Sequence, residues 1–154
     1  PVDQRTLAEL ESRDLKPYMS LASKFDAVMP AHITFPRIDS QSVGFSFYWL
    51  NNVLRTGYGF KGIIFSDDLS MVAANVAGTY KDRAQLALMA GCDMILICNS
   101  RLGALEVIDY LESFRSVETR PYKSMMAKRA PTWSHLKASN RYSKIVQTLE
   151  KLFG

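Results

Sequence analysis

Two adjacent carboxylates, Asp67 and Asp68, are the side chains of this sequence best placed to do chemistry. They follow the apolar segment Gly62–Phe65, from which Ser66 separates them. A continuous β-branched and aromatic run of this length is typical of a strand buried on both faces. In parallel α/β folds the catalytic groups lie at the carboxyl ends of such strands. We therefore expect both acids at the functional end of a parallel sheet.

A carboxylate in this position has several possible functions. It can act as a nucleophile or general base on a sugar, hold Mg²⁺ beside a phosphate, or cap the next helix. Capping is an ordinary function for Ser and Asp at such a position. Because neighbours in sequence rarely point at one target, we expect at most one of Asp67 and Asp68 to face a site. The other one then caps or pairs.

Three apolar segments predict strands, and helical patterns follow each of them. The strands are expected at residues 26–30, 61–66 and 93–98, and helices at 46–57, at 82–90 and after Asn99 and Ser100. No hairpin signal lies between the strands, so the alternation predicts a parallel sheet with right-handed crossovers. A parallel sheet needs both faces covered and its edges protected. Three strands therefore indicate part of a larger layer or barrel.

The pattern changes near residue 115, and the charge changes with it. Residues 1–114 contain 10 Lys and Arg against 13 Asp and Glu, whereas residues 115–154 contain 9 against 2. We interpret 1–115 as the partial barrel and 116–154 as a C-terminal helical appendage packed on it. A basic segment can bind nucleic acid. Without a nucleic-acid motif, a solvated helical surface is the preferred interpretation.

Composition excludes several classes of protein. No apolar run reaches 18 residues and no leader is visible, so we expect neither a membrane span nor a signal peptide. Cys92 and Cys98 lie about 20 Å apart in an extended segment, too far for a disulfide. Two buried thiols suit the cytoplasm. Two Cys and two distant His are too few for a metal site, and we expect no cofactor.

Several stretches together resemble a known family. KGIIFSDDLSM, with DAVMPAHITFPRID before it and AGCDMILICN and TWSHLKASNRY after it, is similar to the bacterial β-N-acetylglucosaminidases of glycoside hydrolase family 3. The resemblance covers nearly all 154 residues, and the SDDLSM segment is its most specific part. It implies an α/β fold, the C-terminal half of a (β/α)₈ TIM-type barrel with three parallel strands alternating with helices.

The resemblance also implies the chemistry. Family members hydrolyse glycosides with retention, through a covalent glycosyl-enzyme. The nucleophile follows Ser in the motif and corresponds to Asp67. Asp68 and Ser66 are expected to support it, and His32 and Met71 to line the sugar pocket, although His32 can equally be a hydrogen-bonded strand-end residue. The expected substrate is an N-acetylglucosamine-containing muropeptide in peptidoglycan recycling, with no nucleic acid or membrane as partner.

One part of the family machinery has no counterpart in the sequence. The family's general acid/base is a His paired with an Asp on a loop that precedes the stretch resembling Pro1–Arg5, and a Lys-His sugar-binding pair lies further upstream. The chain starts with Pro rather than Met, so it follows processing, truncation or a segment that is not shown. We therefore expect the chain alone to have no useful hydrolase activity.

Two alternatives remain open. The first is a non-catalytic half-barrel that associates with itself or a partner through its open sheet edges. The second is a Mg²⁺-dependent phosphoryl-transfer domain that uses Asp67 and Asp68. The second lacks a Gly-rich phosphate loop and a third carboxylate at a neighbouring strand end, which makes it the weaker alternative.

Overall fold

The computed structural model describes residues 1–113, 125–127 and 130–154. The chain divides into two compact units, Pro1–Ser124 and Met125–Gly154. The domain boundary predicted between residues 115 and 116 lies outside the described residues and stays a prediction.

The first unit is built on a parallel sheet of three strands. The described strands are β1 (Ala27–Val28), β2 (Thr34–Phe35), β3 (Asp39–Ser42), β4 (Ile63–Asp68) and β5 (Met94–Leu96). In the sheet, β4 lies between β1 and β5 and is parallel to both, with Ala27 opposite Ile63 and Phe65 opposite Met94. Strands β1 and β5 lie within the predicted segments, β4 runs two residues beyond its predicted end and includes Asp67 and Asp68, and the predicted parallel sheet is confirmed.

Strands β2 and β3 form an antiparallel hairpin that the sequence analysis did not predict. Its turn is closed by the Ile38 N–H, which donates to the Phe35 carbonyl at 2.8 Å. Pro36 occupies the second position of this turn, where its fixed φ is favourable. The expectation that no hairpin lies between the strands was therefore wrong. The two strands are only two and four residues long, too short to show a clear alternating pattern.

Helices cover the sheet and make up the second unit. The α-helices are α1 (Leu7–Glu11), α2 (Lys16–Leu21), α3 (Tyr80–Ala90), α4 (Arg101–Glu112), α5 (Trp133–Lys137) and α6 (Asn140–Phe153), with a π-helix at Tyr48–Gly57 and 3₁₀ turns at Ala22–Lys24, Val43–Phe45 and Val72–Ala77. Helix α3 ends at Gly91, whose φ of 113° gives the left-handed C-cap that glycine favours.

Ser46 connects the hairpin to the π-helix. Its hydroxyl donates to Asp39 on β3 and accepts the Trp49 N–H at 3.0 Å. This i→i+3 contact has the form of the predicted cap, but the N-cap residue of the π-helix is Phe47, one position later, and Phe47 makes no side-chain capping hydrogen bond. The helix closes with an i→i−5 hydrogen bond from the Tyr58 N–H to the Val53 carbonyl. This wider winding was not predicted.

Two groups of buried side chains hold the first unit together. The larger group lies around the sheet and includes Leu50, Phe60, Ile64, Leu69 and Ala87, all almost fully buried. The smaller group packs α1 against the hairpin and the π-helix through Leu10, Phe35, Trp49 and Val53.

An ion pair joins the amino ends of β4 and β5. Arg55 contacts Asp93 at 2.7 Å and donates to the Gly62 carbonyl at 3.1 Å. The Ile64 N–H also donates to Asp93, at 2.8 Å. In parallel α/β folds the catalytic residues lie at the carboxyl ends of the strands. The Arg55–Asp93 pair lies at the amino ends, so we assign it to strand alignment. It leaves the carboxyl ends open for a site.

We expect Gly62→Ala to destabilise the first unit by about 1–3 kcal/mol, the usual cost of overpacking. A Cβ at this position would meet the Asp26 carbonyl and lie 2.7 Å from the ring of Phe60. Urea unfolding measures the change. Gly44→Ala is the matched control, because the atom nearest to its added Cβ is 3.7 Å away. Equal stabilities of the two variants would contradict the packing described for Gly62.

Strands β1 and β5 form the two edges of the three-stranded sheet. An edge strand presents backbone donors and acceptors that another chain can pair with. Self-association through these edges stays a prediction, which light scattering tests. A monodisperse monomer at high concentration would contradict it.

The two cysteines differ in their surroundings. Cys92 is buried and Cys98 is exposed, and they are not bonded to each other. The expectation that both are buried was therefore wrong for Cys98, which lies beyond the end of β5. In the described part of the chain, no helix combines the length and apolar character needed to cross a membrane.

Candidate active site

Asp67 and Asp68 lie at the carboxyl end of β4, the central strand of the sheet. The loop after β1 lies on one side of them and the loop after β5 on the other. His32 comes from the first loop, and Cys98 and Asn99 come from the second. This end of the sheet thus gathers polar groups from three neighbouring strands, as in α/β enzymes.

The Asp67 carboxylate is oriented by backbone groups. Its Oδ1 accepts the N–H of Asp68 at 2.9 Å, and its Oδ2 accepts the N–H of His32 at 3.2 Å. The side chain is partly exposed. A carboxylate held by two fixed donors and still open to solvent can act on a bound ligand without first being released from a side-chain partner.

The Asp68 carboxylate is engaged by the protein. Its Oδ1 accepts the N–H groups of Ser70 at 2.9 Å and of Cys98 at 3.0 Å. Its Oδ2 accepts the Ser70 hydroxyl at 2.7 Å and the Asn99 amide at 3.4 Å. Burial raises the pKa of Asp68, but the hydrogen bonds from Cys98 and Ser70 outweigh burial and hold the pKa below its usual range. Asp68 therefore fastens the loop after β5 to β4.

We expect Asp68→Asn to lower the free energy of unfolding by about 1–2 kcal/mol at pH 7, because charge-assisted hydrogen bonds are lost from a partly exposed site. The pKa of Asp68 is lower in the folded protein, so its contribution is complete above pH ~4, the ordinary Asp range. It disappears as the pH falls through the folded-state pKa. Protonated Asp then resembles Asn.

Urea unfolding of both proteins at pH 7 and at pH 3 measures this difference. Asp109→Asn, an exposed carboxylate on α4, is the matched control and should change stability by less than about 0.5 kcal/mol at either pH. A difference between wild type and Asp68→Asn that persists unchanged at pH 3 would contradict the assignment.

Ser66 supports the site from beneath. It is 1% exposed, and its hydroxyl accepts the N–H of Leu96 at 2.9 Å. The side chain therefore links β4 to β5 and does not reach the exposed face of Asp67. This contact fits the supporting function expected of Ser66.

His32 and Met71, the residues expected to line a sugar pocket, have different environments. His32 is 5% exposed, whereas Met71 is 44% exposed. The Met71 N–H donates to the Asp68 carbonyl at 3.1 Å and begins the 3₁₀ turn after β4. Met71 thus lies three residues beyond the end of β4 with a largely exposed apolar side chain, and its place in a sugar pocket stays a prediction. The ring of His32 lies below the surface.

Arg83 contributes to the site region but was missed by the sequence analysis. It is 9% exposed, and its Nη1 and Nε donate to the carbonyls of Leu69 at 2.7 Å and Gly78 at 2.8 Å. The guanidinium also lies 4.7 Å from the centre of the Tyr80 ring. One side chain therefore holds both ends of the segment that follows Asp68. Ala84 and Ala87, which are buried beside Arg83 on α3, are small residues of the kind that pack in a helix interface. They were the available sign that this part of α3 faces the core.

The described residues offer no evident metal site. Across residues 1–113, 125–127 and 130–154, no three His, Cys, Asp or Glu side chains are grouped so that they could hold a metal ion. Asp68, the most favourable acidic neighbour of Asp67, already accepts four protein hydrogen bonds. Asp67 itself is partly exposed and held by backbone N–H groups, an arrangement suited to nucleophilic or acid–base chemistry.

Comparison with known proteins assigns most of the chain. Residues 1–126 match the family described as glycosyl hydrolase family 3 N terminal domain. A β-hexosaminidase from Idiomarina loihiensis is 46% identical over 144 residues, which are 92% of this chain and 44% of that protein. A β-hexosaminidase from Tolumonas auensis is also 46% identical, over 92% of this chain and 42% of that protein. The chain spans less than half the length of these relatives.

Solved structures agree with the sequence comparison. The whole chain matches 44% of NagZ from Neisseria gonorrhoeae in complex with N-trifluoroacetyl-D-glucosamine, with a TM-score of 0.77 and 32% identity. It also matches 45% of NagZ from the same organism in complex with a zinc ion, with a TM-score of 0.76. The predicted α/β fold, part of a larger barrel, is confirmed by this likeness.

Proposed function

This chain belongs to glycosyl hydrolase family 3, and from that premise we propose that it supplies the nucleophile of a retaining β-N-acetylglucosaminidase. The observation that carries the proposal is that the two acids have different hydrogen-bond partners. Asp68 is occupied by Ser70, Cys98 and Asn99. Among the described residues, Asp67 is fixed only through backbone N–H groups, and it is partly exposed at the carboxyl end of the central strand.

In the proposed reaction an Asp67 oxygen attacks the anomeric carbon of the sugar. A bond forms between this oxygen and the carbon, while the bond to the leaving oxygen breaks and that oxygen takes a proton from a general acid. Water then attacks the same carbon, loses a proton to the conjugate base of that acid and releases Asp67, so two inversions give net retention. The backbone donors of Asp67 keep the carboxylate plane fixed through both steps. No residue of this chain is assigned as the acid.

The proposed substrate is a peptidoglycan fragment that ends in N-acetylglucosamine, hydrolysed in the cytoplasm during cell-wall recycling. The ligand in the Neisseria gonorrhoeae structure, N-trifluoroacetyl-D-glucosamine, supports an N-acylglucosamine as the recognised sugar. Met71 at the rim provides an apolar surface for a sugar ring or its acyl group. We propose that the sugar lies between Met71 and Asp67.

The Mg²⁺-dependent phosphoryl-transfer function has less support. A Mg²⁺-dependent phosphoryl-transfer site needs carboxylate oxygens that are open to the metal. Both oxygens of Asp68 accept protein hydrogen bonds instead. We therefore retain the glycosidase as the proposed function.

The test is a chimera in which this sequence replaces the matching segment of the Idiomarina loihiensis β-hexosaminidase. We expect it to hydrolyse a chromogenic N-acetylglucosaminide, since the relative supplies everything outside the exchanged segment. The unchanged relative is the positive control, and the relative without the segment is the negative control. A chimera with the folded circular dichroism spectrum of the parent but no turnover would contradict the proposal.

A further inference from the structure

We propose that His32 is a positioning residue for the nucleophile, acting through Asp67 and Asp68 and not by contact with the sugar. The inference rests on the proposed function of Asp67. Two hydrogen bonds connect His32 to the end of β4. The His32 N–H donates to Asp67 Oδ2 at 3.2 Å, and the ring Nε2 lies 3.2 Å from the carbonyl oxygen of Asp68.

The partner of Nε2 determines which ring nitrogen carries the proton. A carbonyl oxygen only accepts hydrogen bonds, so Nε2 must donate and a neutral ring must be the Nε2–H tautomer. Nδ1 then has a lone pair, and within the described residues it is buried with no hydrogen-bond partner. A buried polar atom without a partner lowers stability. The contact at Nε2 is thus the hydrogen bond that positions the ring. It forms although burial of Nδ1 costs stability.

Neither ring nitrogen is presented to a ligand. Nε2 faces the backbone of Asp68, Nδ1 is buried, and the whole residue is 5% exposed. The ring also packs against Phe45, with 5.5 Å between ring centres. A residue that contacts a sugar hydroxyl needs an accessible polar atom. The geometry thus makes His32 a buried residue that contacts Asp67 and Asp68 and offers no polar atom to a ligand.

The two hydrogen bonds act on the nucleophile together. The ring anchors the loop after β1 to the backbone of Asp68, and the same residue then presents its N–H to Asp67. Because the Asp68 N–H fixes Oδ1 at 2.9 Å, the His32 N–H fixes the rotation of the carboxylate by holding Oδ2. A small misplacement of a reacting group can cost about 10²-fold in rate. Loss of the ring contact should therefore reduce kcat with little change in KM.

The first test is ¹⁵N NMR of the chain itself, which needs no glycosidase activity. In the neutral ring of His32 we expect the proton on Nε2 and none on Nδ1. We also expect His32→Ala to speed hydrogen exchange of the residue 32 amide by about 10-fold or more, as when a local hydrogen bond opens. A neutral ring with its proton on Nδ1, or equal exchange in wild type and His32→Ala, would overturn the inference.

Conservative variants supply the matched controls. Gln places an amide donor near the position of Nε2, whereas Asn places one near Nδ1. We expect His32→Gln to keep the slow exchange of the residue 32 amide, and His32→Asn to lose it. His135→Gln, at the only other histidine of the sequence, should leave that amide unchanged. Equal exchange in the Gln and Asn variants would contradict the Nε2 contact.

Kinetics of the chimera separate this inference from the proposed function. We expect His32→Ala to lower kcat by about 10–100-fold with KM within about 2-fold, and His32→Gln to restore most of kcat. A large rise in KM at unchanged kcat would show direct sugar contact and overturn the positioning function. If Asp67 variants keep full activity, the proposed function itself fails, whatever the tautomer of His32.

Discussion

Replacing Asp67 by Ala in the chimera is expected to lower kcat by about 10⁴-fold or more, the scale of losses when a covalent nucleophile is removed. Of the two acids at the end of β4, Asp67 accepts its hydrogen bonds from backbone N–H groups alone within the described part of the chain. Without its carboxylate no glycosyl-enzyme forms. Steady-state hydrolysis of a chromogenic N-acetylglucosaminide measures the loss.

Two controls distinguish a chemical effect from a structural one. Azide enters the space left by the carboxylate in Asp67→Ala and displaces the leaving group once, so the product should have inverted configuration. Asp68→Asn should instead lower stability, without any rescue by azide. If Asp67→Ala retains more than about a tenth of wild-type kcat, where removing a nucleophile costs far more, Asp67 is not the nucleophile.

The second large effect concerns the chain without any added partner. We expect the 154-residue chain to show no turnover above background, because a missing general acid costs about 10²–10⁴-fold and poor positioning of the sugar costs more. The assay is the one used for the chimera, which serves as its positive control at equal concentration. Ordinary turnover that Asp67→Ala abolishes would contradict this expectation and place the acid within the chain.

Local signals in the sequence were sufficient for the elements that position the site. Gly62–Phe65 predicted a buried strand, and β4 is the centre of the sheet. Ser46 and Gly91 predicted a helix start and a helix end, since caps depend on hydrogen bonds within a few residues. Asp67 and Asp68 have different hydrogen-bond partners, and the expectation that at most one of them faces the site stays a prediction. Period and capping are local properties, which is why they could be predicted.

The contacts that shape the site depend on distant residues and were not predicted. The His32 ring reaches the Asp68 carbonyl across 36 positions, and the Cys98 N–H reaches the Asp68 carboxylate across 30. The Arg83 side chain donates hydrogen bonds to two carbonyls, those of Leu69 and Gly78, in the segment that precedes it. Such pairs follow from how the strand ends are assembled in three dimensions. No spacing in the sequence distinguishes them from other pairs of polar residues.

The hairpin and the π-helix show a second limit. Strands of two and four residues carry too few positions to display a period of two, and Pro36 is compatible with several loops. The apolar residues of Tyr48–Gly57 repeat with a spacing that an α-helix would also show. The helix is distinguished by its i→i−5 hydrogen bonding, as at Tyr58. Side-chain patterns alone do not report that difference.

The central claim is that Asp67 becomes covalently attached to the sugar, and trapping that intermediate tests it most directly. The chimera is incubated with a 5-fluoro N-acetylglucosaminyl fluoride, whose good leaving group and slowed second step favour accumulation of a glycosyl-enzyme. Peptide mass spectrometry then locates the sugar. We predict one adduct on the peptide that contains Asp67, absent from the Asp67→Ala variant. An adduct on any other residue, or turnover with no adduct, would contradict the account.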